Sequence, residues 1–260
     1  MIVENFEQLL TVLRDKKLYI YQSDNTTSLH FTITAVQSEM CSQSPNKLVL
    51  GYTRTMMGFL LFNPEPRRIG MIGLGGGSLP KYCYAYLPNA SIVVAENNPE
   101  VIALRESFFI PENNSRFNVV CADGADFVKE NSLQFDVLII DGFEDHGQPR
   151  QLCTQEFYRD CYSSLAPDGV MVVNFLDCES KNIAFIERIY DSFDGKIVVI
   201  NALESSNKIV FGFKGNTRFV SDDDLRSRLK SLVQHHPVGL TKTARDIVLK
   251  RRIHAPVTER

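Results

Sequence analysis

Residues 71–79 read Met71-Ile-Gly-Leu-Gly-Gly-Gly-Ser-Leu79, with glycine at four of the five positions from 73 to 77. The apolar run Arg68-Ile-Gly-Met-Ile-Gly73 that leads into them predicts a buried strand, and the residues from Ser78 onward predict a helix. Glycine at such a turn lets the backbone bend sharply and lie against a ligand with no Cβ in between. The amides that open the helix would face an electron-rich group, so a nucleotide or nucleoside is the natural occupant.

Three further strand-like runs follow, each with a carboxylate at or just past its end. Ser91-Ile-Val-Val-Ala95 leads into Glu96, Phe117-Asn-Val-Val-Cys121 into Asp123-Gly124, and Phe135-Asp-Val-Leu-Ile-Ile140 into Asp141. Near-continuous Val/Ile runs suit strands covered on both faces, as in a parallel sheet flanked by helices. Helical stretches fall between the runs at 79–86, 99–107, 125–131 and 154–165. The alternation predicts a doubly wound α/β fold, where ligands bind outside the carboxyl ends of the strands, so these acids converge on one crevice. Glu96 is placed to accept ribose hydroxyls, Asp123 to accept an adenine amino group, and Asp141 to face the reacting centre. Each also fits an exposed loop acid or a helix N-cap, positions that Asp and Asn favour anyway. Their common register carries the functional reading.

The dinucleotide fingerprint Gly-x-Gly-x-x-Gly would need glycine where Ser78 stands. The spacing Gly73, Gly75, Gly77, with an acid after the third strand, suits an adenosyl-sulfonium ligand better. Gly73, Gly75, Gly76 and Gly77, together with Glu96, Asp123 and Gly124, form the expected nucleoside-binding set. Ile197-Val-Val-Ile-Asn201 and Lys208-Ile-Val-Phe-Gly-Phe213 predict a terminal hairpin that closes the sheet. The expected core is therefore a seven-stranded, mostly parallel, Rossmann-like sheet of the methyltransferase type.

Residues from about 50 to 213 resemble the spermidine/spermine synthase (polyamine aminopropyltransferase) family. The likeness runs through Pro66-Arg-Arg-Ile-Gly-Met-Ile-Gly-Leu-Gly-Gly-Gly-Ser78, Val94-Ala-Glu-Asn-Asn-Pro-Glu-Val-Ile102, Val120-Cys-Ala-Asp-Gly-Ala-Asp-Phe127 and Phe135 to Asp141. It continues through Thr154-Gln-Glu-Phe-Tyr158, the most family-specific piece, and Leu165-Ala-Pro-Asp-Gly-Val-Met-Val-Val173. The resemblance implies aminopropyl transfer from decarboxylated S-adenosylmethionine to a small-molecule amine, with Glu96 on the ribose, Asp123 on the adenine and Asp141 as proton acceptor. It also implies a homodimer.

Several positions depart from the family pattern. Gly76 falls where the family carries an acid for the amine of the aminopropyl group. The family's acidic loop appears as Asp141-Gly-Phe-Glu-Asp145, which makes Glu144 and Asp145 the remaining catalytic candidates. Tyr52 stands for the family's substrate tyrosine, and Gln37, in a reduced amino-terminal region, is a second substrate-binding candidate. Arg54 would favour a carboxylate-bearing ligand if its guanidinium entered the pocket; otherwise it pairs with a nearby acid. An S-adenosylmethionine-dependent methyltransferase and a nucleoside-binding regulatory protein are the alternatives.

The 260 residues carry a net charge of −3, so no basic field points to nucleic acid. Six cysteines, Cys41, Cys83, Cys121, Cys153, Cys161 and Cys178, show no zinc-ligand spacing and no disulfide framework. Cys83 and Cys121 sit in apolar patterns and read as core residues. No metal is expected, including at His235-His236. Glu4, Glu7 and Lys16-Lys17 interrupt the apolar amino terminus, unlike a secretory signal, and no run is long enough to span a bilayer, so a cytoplasmic protein is expected. Residues 6–13 predict a helix, and 17–22 and 29–36 predict two strands of a hairpin. Two helices are expected at 222–234 and 241–251, and the segment from Thr241 carries Lys242, Arg245, Lys250, Arg251, Arg252 and Arg260 against Asp246 and Glu259, a basic patch read as a solvated helix face rather than an RNA site. Three regions result: an amino-terminal β-hairpin region (1–50), a catalytic nucleoside-binding domain (51–215) and a helical tail (216–260).

Overall fold

A computed structural model describes residues 2–3, 18–30, 36–131, 134–144, 147–176, 179–215 and 220–253. The helix expected at 6–13 and the middle of the strand expected at 29–36 lie outside the described residues. Strands β1 (Ile2–Val3), β2 (Tyr19–Gln22), β3 (Thr26–His30) and β4 (Val36–Cys41) form a four-stranded sheet in that order. It is larger than the expected hairpin. The β2–β3 turn falls at residues 23–25, and His30 is buried against Tyr19 with its ring stacked 5.0 Å away.

Strands β5 (Arg68–Ile72), β6 (Ser91–Glu96), β7 (Phe117–Cys121), β8 (Phe135–Ile140), β9 (Leu165–Phe175), β10 (Ile197–Asn201) and β11 (Lys208–Phe213) form a seven-stranded sheet in the order β10-β11-β9-β8-β5-β6-β7. β5 to β9 run parallel to one another, and β11 pairs antiparallel both with β9 and with β10, its partner in the closing hairpin. The apolar runs divide as strands buried on both faces should. Ile69 and Met71 of β5 enter one core and Ile72 the other; Val137 and Ile139 of β8 oppose Leu138 and Ile140 in the same way. At the sheet edge this cover thins, so Val120 and Cys121 of β7 are exposed, and Cys121 is not the core residue its apolar context suggests.

The helices are α1 (Gly51–Met56), α2 (Ser78–Tyr86), α3 (Pro99–Ala103), α4 (Gly124–Glu130), α5 (Gln155–Ser164), α6 (Glu179–Ser192), α7 (Asp222–His235) and α8 (Leu240–Ile253). A 3-10 turn at Met57–Leu61 extends α1, and another at Glu106–Phe108 follows α3. Side-chain caps fix four of the starts: Asn98 for α3, Asp123 for α4, Thr154 for α5 and Ser221 for α7. Thr154 Oγ1 accepts from Phe157 N at 3.0 Å, which explains the threonine in the Thr154–Tyr158 motif. Leu225, Leu232, Leu240 and Ile247 from α7 and α8 join the core that contains Ile20, Leu29 and Met40 of the small sheet and Ile69 of β5. The two carboxyl-terminal helices are thus built into the main core, while Lys242, Arg245 and Lys250 stay exposed.

Candidate active site

β5 has β6 on one side and β8 on the other, so successive connections diverge at its carboxyl end and leave a crevice. That crevice is a cavity of about 980 Å³, within the range of small-molecule sites. Gly73, Gly75 and Ser78 line it from the glycine loop, Gln37 and Ser38 from β4, and Tyr52 from α1. Gly73 has φ +94° and its amide donates to Ala95 O at 2.9 Å; a Cβ there would stand 2.4 Å from the Asp141 carbonyl oxygen. The close pairing of these two strand ends therefore requires glycine.

Gly76 and Gly77, expected at the ligand, are not on the cavity wall. A Cβ on Gly76 would lie 2.6 Å from Ser38 Oγ and 2.9 Å from the Phe108 ring, and one on Gly77 would lie 2.5 Å from Ile110. These two glycines let the loop pack against β4 and the segment after α3. Gly124 lines the cavity at the start of α4, with no room for a Cβ beside Ile72.

Glu96, Asp123, Asp141 and Glu144 share the cavity. Glu96 is buried; one carboxylate oxygen accepts from Leu74 N and the other from Asn98 N, both at 2.9 Å. Each oxygen keeps a second acceptor site. Asp123 caps α4 through Oδ1, accepting from Ala125 N at 2.7 Å, while Oδ2 accepts from Gln151 Nε2 at 3.1 Å. Asp123 thus combines its N-cap position with a place on the cavity wall. Glu144 is exposed on a turn that pairs with Gly147. Asp145 lies outside the described residues, as does His146.

Asp141 follows β8 at the floor of the cavity. Tyr52 Oη donates to its Oδ2 at 3.2 Å and Asn174 Nδ2 donates to its Oδ1 at 2.9 Å. Burial pushes its pKa up to about 7, against the opposing pull of the Asn174 and Tyr52 hydrogen bonds. Burial and the Asp141 charge push the Tyr52 phenol well above its ordinary value, so it remains a donor. An acid half-ionised near neutrality, with both oxygens held by donors, is equipped to take a proton. Among the described residues no His/Cys/Asp/Glu group could hold a metal.

Residues 49–192 match the family model described as "Spermine/spermidine synthase domain". The polyamine aminopropyltransferase of Chromobacterium violaceum is 38% identical over 214 residues, which cover 82% of either chain. This chain belongs to the spermine/spermidine synthase family. The polyamine aminopropyltransferase of Neisseria meningitidis serogroup B, another similar protein, is 35% identical over 215 residues and 82% of either chain. A probable spermidine synthase from Corynebacterium glutamicum shares the fold, with a TM-score of 0.68 at 18% identity over 88% of this chain and 91% of that one.

In this member of the spermine/spermidine synthase family, several polar cavity residues escaped the sequence reading, among them Ser38 of β4, Gln151, Asn174 near the end of β9 and Asn207 in the β10–β11 hairpin. The only sequence signal for Asn174 is a polar residue closing the apolar run Val170-Met-Val-Val173. Arg54 does not line the cavity. Its guanidinium donates to Val49 O at 2.6 Å and Leu48 O at 3.2 Å and pairs with Glu204.

Proposed function

We propose that this protein transfers the aminopropyl group of decarboxylated S-adenosylmethionine to the nitrogen of a small polyamine precursor. The observation that carries this reading is Asp141, an acid of pKa about 7 held by two donors at the floor of a cavity that opens beside the glycine loop. Glu96 accepts the ribose hydroxyls and Asp123 accepts the adenine amino group, each keeping its backbone partners. The amine nitrogen attacks the methylene carbon bonded to the sulfonium, the carbon–sulfur bond breaks, and its electron pair leaves with the sulfur as neutral methylthioadenosine. The proton lost by the amine passes to Asp141.

Removing that proton beforehand would cost roughly 4 to 5 kcal/mol at neutral pH, about three pKa units at 1.36 kcal/mol each. A carboxylate within hydrogen-bond range takes it in the transition state instead. Alignment of the two charged reactants supplies much of the remaining acceleration. Glu144 and Asp145 add negative charge for a polycationic acceptor, while Tyr52 and Gln37 contact it. Where the family carries an acid at position 76, the hydroxyls of Ser38 and Ser78, 3.3 Å apart, face the cavity, so the amine tail of the co-substrate meets neutral acceptors. With Arg54 turned to Glu204, no cation among the described residues that line the cavity favours a carboxylate on the ligand.

Calorimetry with decarboxylated and intact S-adenosylmethionine, followed by turnover with putrescine and spermidine, tests the reading. Tighter binding of the decarboxylated form and release of methylthioadenosine are expected. Preference for the intact form with no diamine consumed would overturn it.

A further inference from the structure

We propose that Asn207 is a positioning residue: it fixes the orientation of the Asn174 side-chain amide and through it keeps Asp141 a proton acceptor. The inference rests on the aminopropyl-transfer reading and adds a residue that acts on the base without touching the reacting atoms. An amide side chain presents a donor on one side and an acceptor on the other. Asn174 Nδ2 donates to Asp141 Oδ1 at 2.9 Å, so its own oxygen must point away, and there it accepts from Asn207 Nδ2, also at 2.9 Å. Asn174 is 1% exposed and Asn207 8%, so water does not readily replace either partner. If Asn174 turned over, its oxygen would face a carboxylate, an arrangement tolerated only when Asp141 carries a proton to donate. Asn207 therefore biases a coupled equilibrium of amide orientation and proton occupancy.

The loop that delivers Asn207 is pinned to α1. Leu203 N donates to Thr55 Oγ1 at 2.8 Å, Glu204 pairs with Arg54, and Gly51 has no Cβ because one would stand 1.8 Å from Leu203 O. Ala202 N donates to Asn207 O at 2.8 Å and closes the hairpin. The same helix carries Tyr52 to the other oxygen of Asp141. One short helix thus sets the donors on both sides of the base. Among the described residues, the titratable groups sharing its cavity are Tyr52 from α1, Glu96 and Glu100 from the end of β6 and α3, Asp123 at the start of α4, and Glu144 from its own loop. Tyr52 is the one that contacts it.

The test uses the full chain with Asn207→Leu, which keeps the shape without a donor, and Asn207→Asp, which keeps the shape but invites the Asn174 donor away from Asp141. The pH profile of kcat/KM is measured for both, for Asn174→Ala and for the Asn174→Ala/Asn207→Leu double variant. The acid limb is expected to move to higher pH by about 0.5 to 1 unit in Asn207→Leu and further in Asn207→Asp, a three- to tenfold loss below the limb that shrinks as pH rises. The double variant is expected to match Asn174→Ala alone. A 13C titration of the Asp141 carboxyl in ligand-free protein should show the same upward movement. An acid limb and carboxyl titration left at wild-type positions, or losses that simply add in the double variant, would overturn the proposal. If wild type transfers no aminopropyl group, the proposed function fails, while the carboxyl titration still decides whether Asn207 acts on Asp141.

Discussion

A carboxyl group withdrawn from water holds its proton to higher pH, and Asp141 carries this cost at the place where a base is wanted. Its pKa of about 7 predicts that kcat/KM falls as pH drops through 7, rather than near 4 where an ordinary aspartate would titrate. Replacing Tyr52 by Phe removes one donor to the ionised form, so the limb should move up; a pH profile that stays put would show that the Tyr52 contact does not matter. Asp141→Asn should lower turnover by about 10²- to 10⁴-fold. The same change should stabilise the protein at pH 8. The folded-state pKa lies above the unfolded value, so the favourable contribution is complete below the unfolded pKa and is lost as pH rises through 7. Above that pH a buried charge remains, and its removal should raise stability by about 0.5 to 2 kcal/mol, read by thermal or urea unfolding. The acid itself was legible in the sequence because it ends an apolar strand run. Asn174 and Asn207 were not, since a lone asparagine has no pattern and their pairing joins a strand to a hairpin loop remote in sequence.

Helix termini and tight turns decide where these side chains stand. Asp123 caps α4 and lines the cavity, and the cap separates from the proposed adenine contact by substitution. Asp123→Asn keeps an oxygen for Ala125 N and should change stability by less than about 0.5 kcal/mol while weakening adenosine binding in calorimetry. Asp123→Ala should lose about 1 kcal/mol of stability as well. If both variants bound adenosine like wild type, the adenine role would be wrong. Gly51→Ala drives a Cβ into Leu203 O and should displace the hairpin loop, lowering the melting temperature and activity together. The parallel strands and their helices could be read from the Val/Ile runs and glycine punctuation. α1 could not: Gly51-Tyr-Thr-Arg-Thr55 combines glycine with β-branched threonines, and tertiary packing overrides that weak helical preference. Gly76 and Gly77 pack against Ser38, Phe108 and Ile110 and do not line the cavity. Glycine marks a close approach, and only the fold tells whether a ligand or Ser38 and Ile110 do the approaching.

The cavity draws on distant parts of the chain: Val36, Gln37 and Ser38 come from the small sheet, the acids from the ends of the parallel strands and the segments that follow them, and Asn207 from the hairpin. The division into an amino-terminal region, a catalytic domain and a tail followed composition, yet Leu29, Ile69 and Ile247 lie in one core. Such interleaving is invisible to periodicity, which reports which face of an element is apolar and not what will cover it. It has a thermodynamic consequence. Elements that share one core should unfold together, so heating is expected to give one cooperative transition seen alike by far-ultraviolet circular dichroism and by tyrosine fluorescence. A ligand that bridges the glycine loop and Glu96 binds only the folded form and should raise the whole transition. Methylthioadenosine at 100 times its Kd corresponds to about 2.7 kcal/mol, which for a chain of this size is a rise of roughly 5 to 10 °C. Glu96→Gln, which leaves the Leu74 amide a partner but removes the charge, should shrink that rise at fixed ligand concentration. Two separate transitions, of which only one responds to the nucleoside, would mean that the small sheet or the terminal helices fold independently of the parallel sheet that carries the cavity.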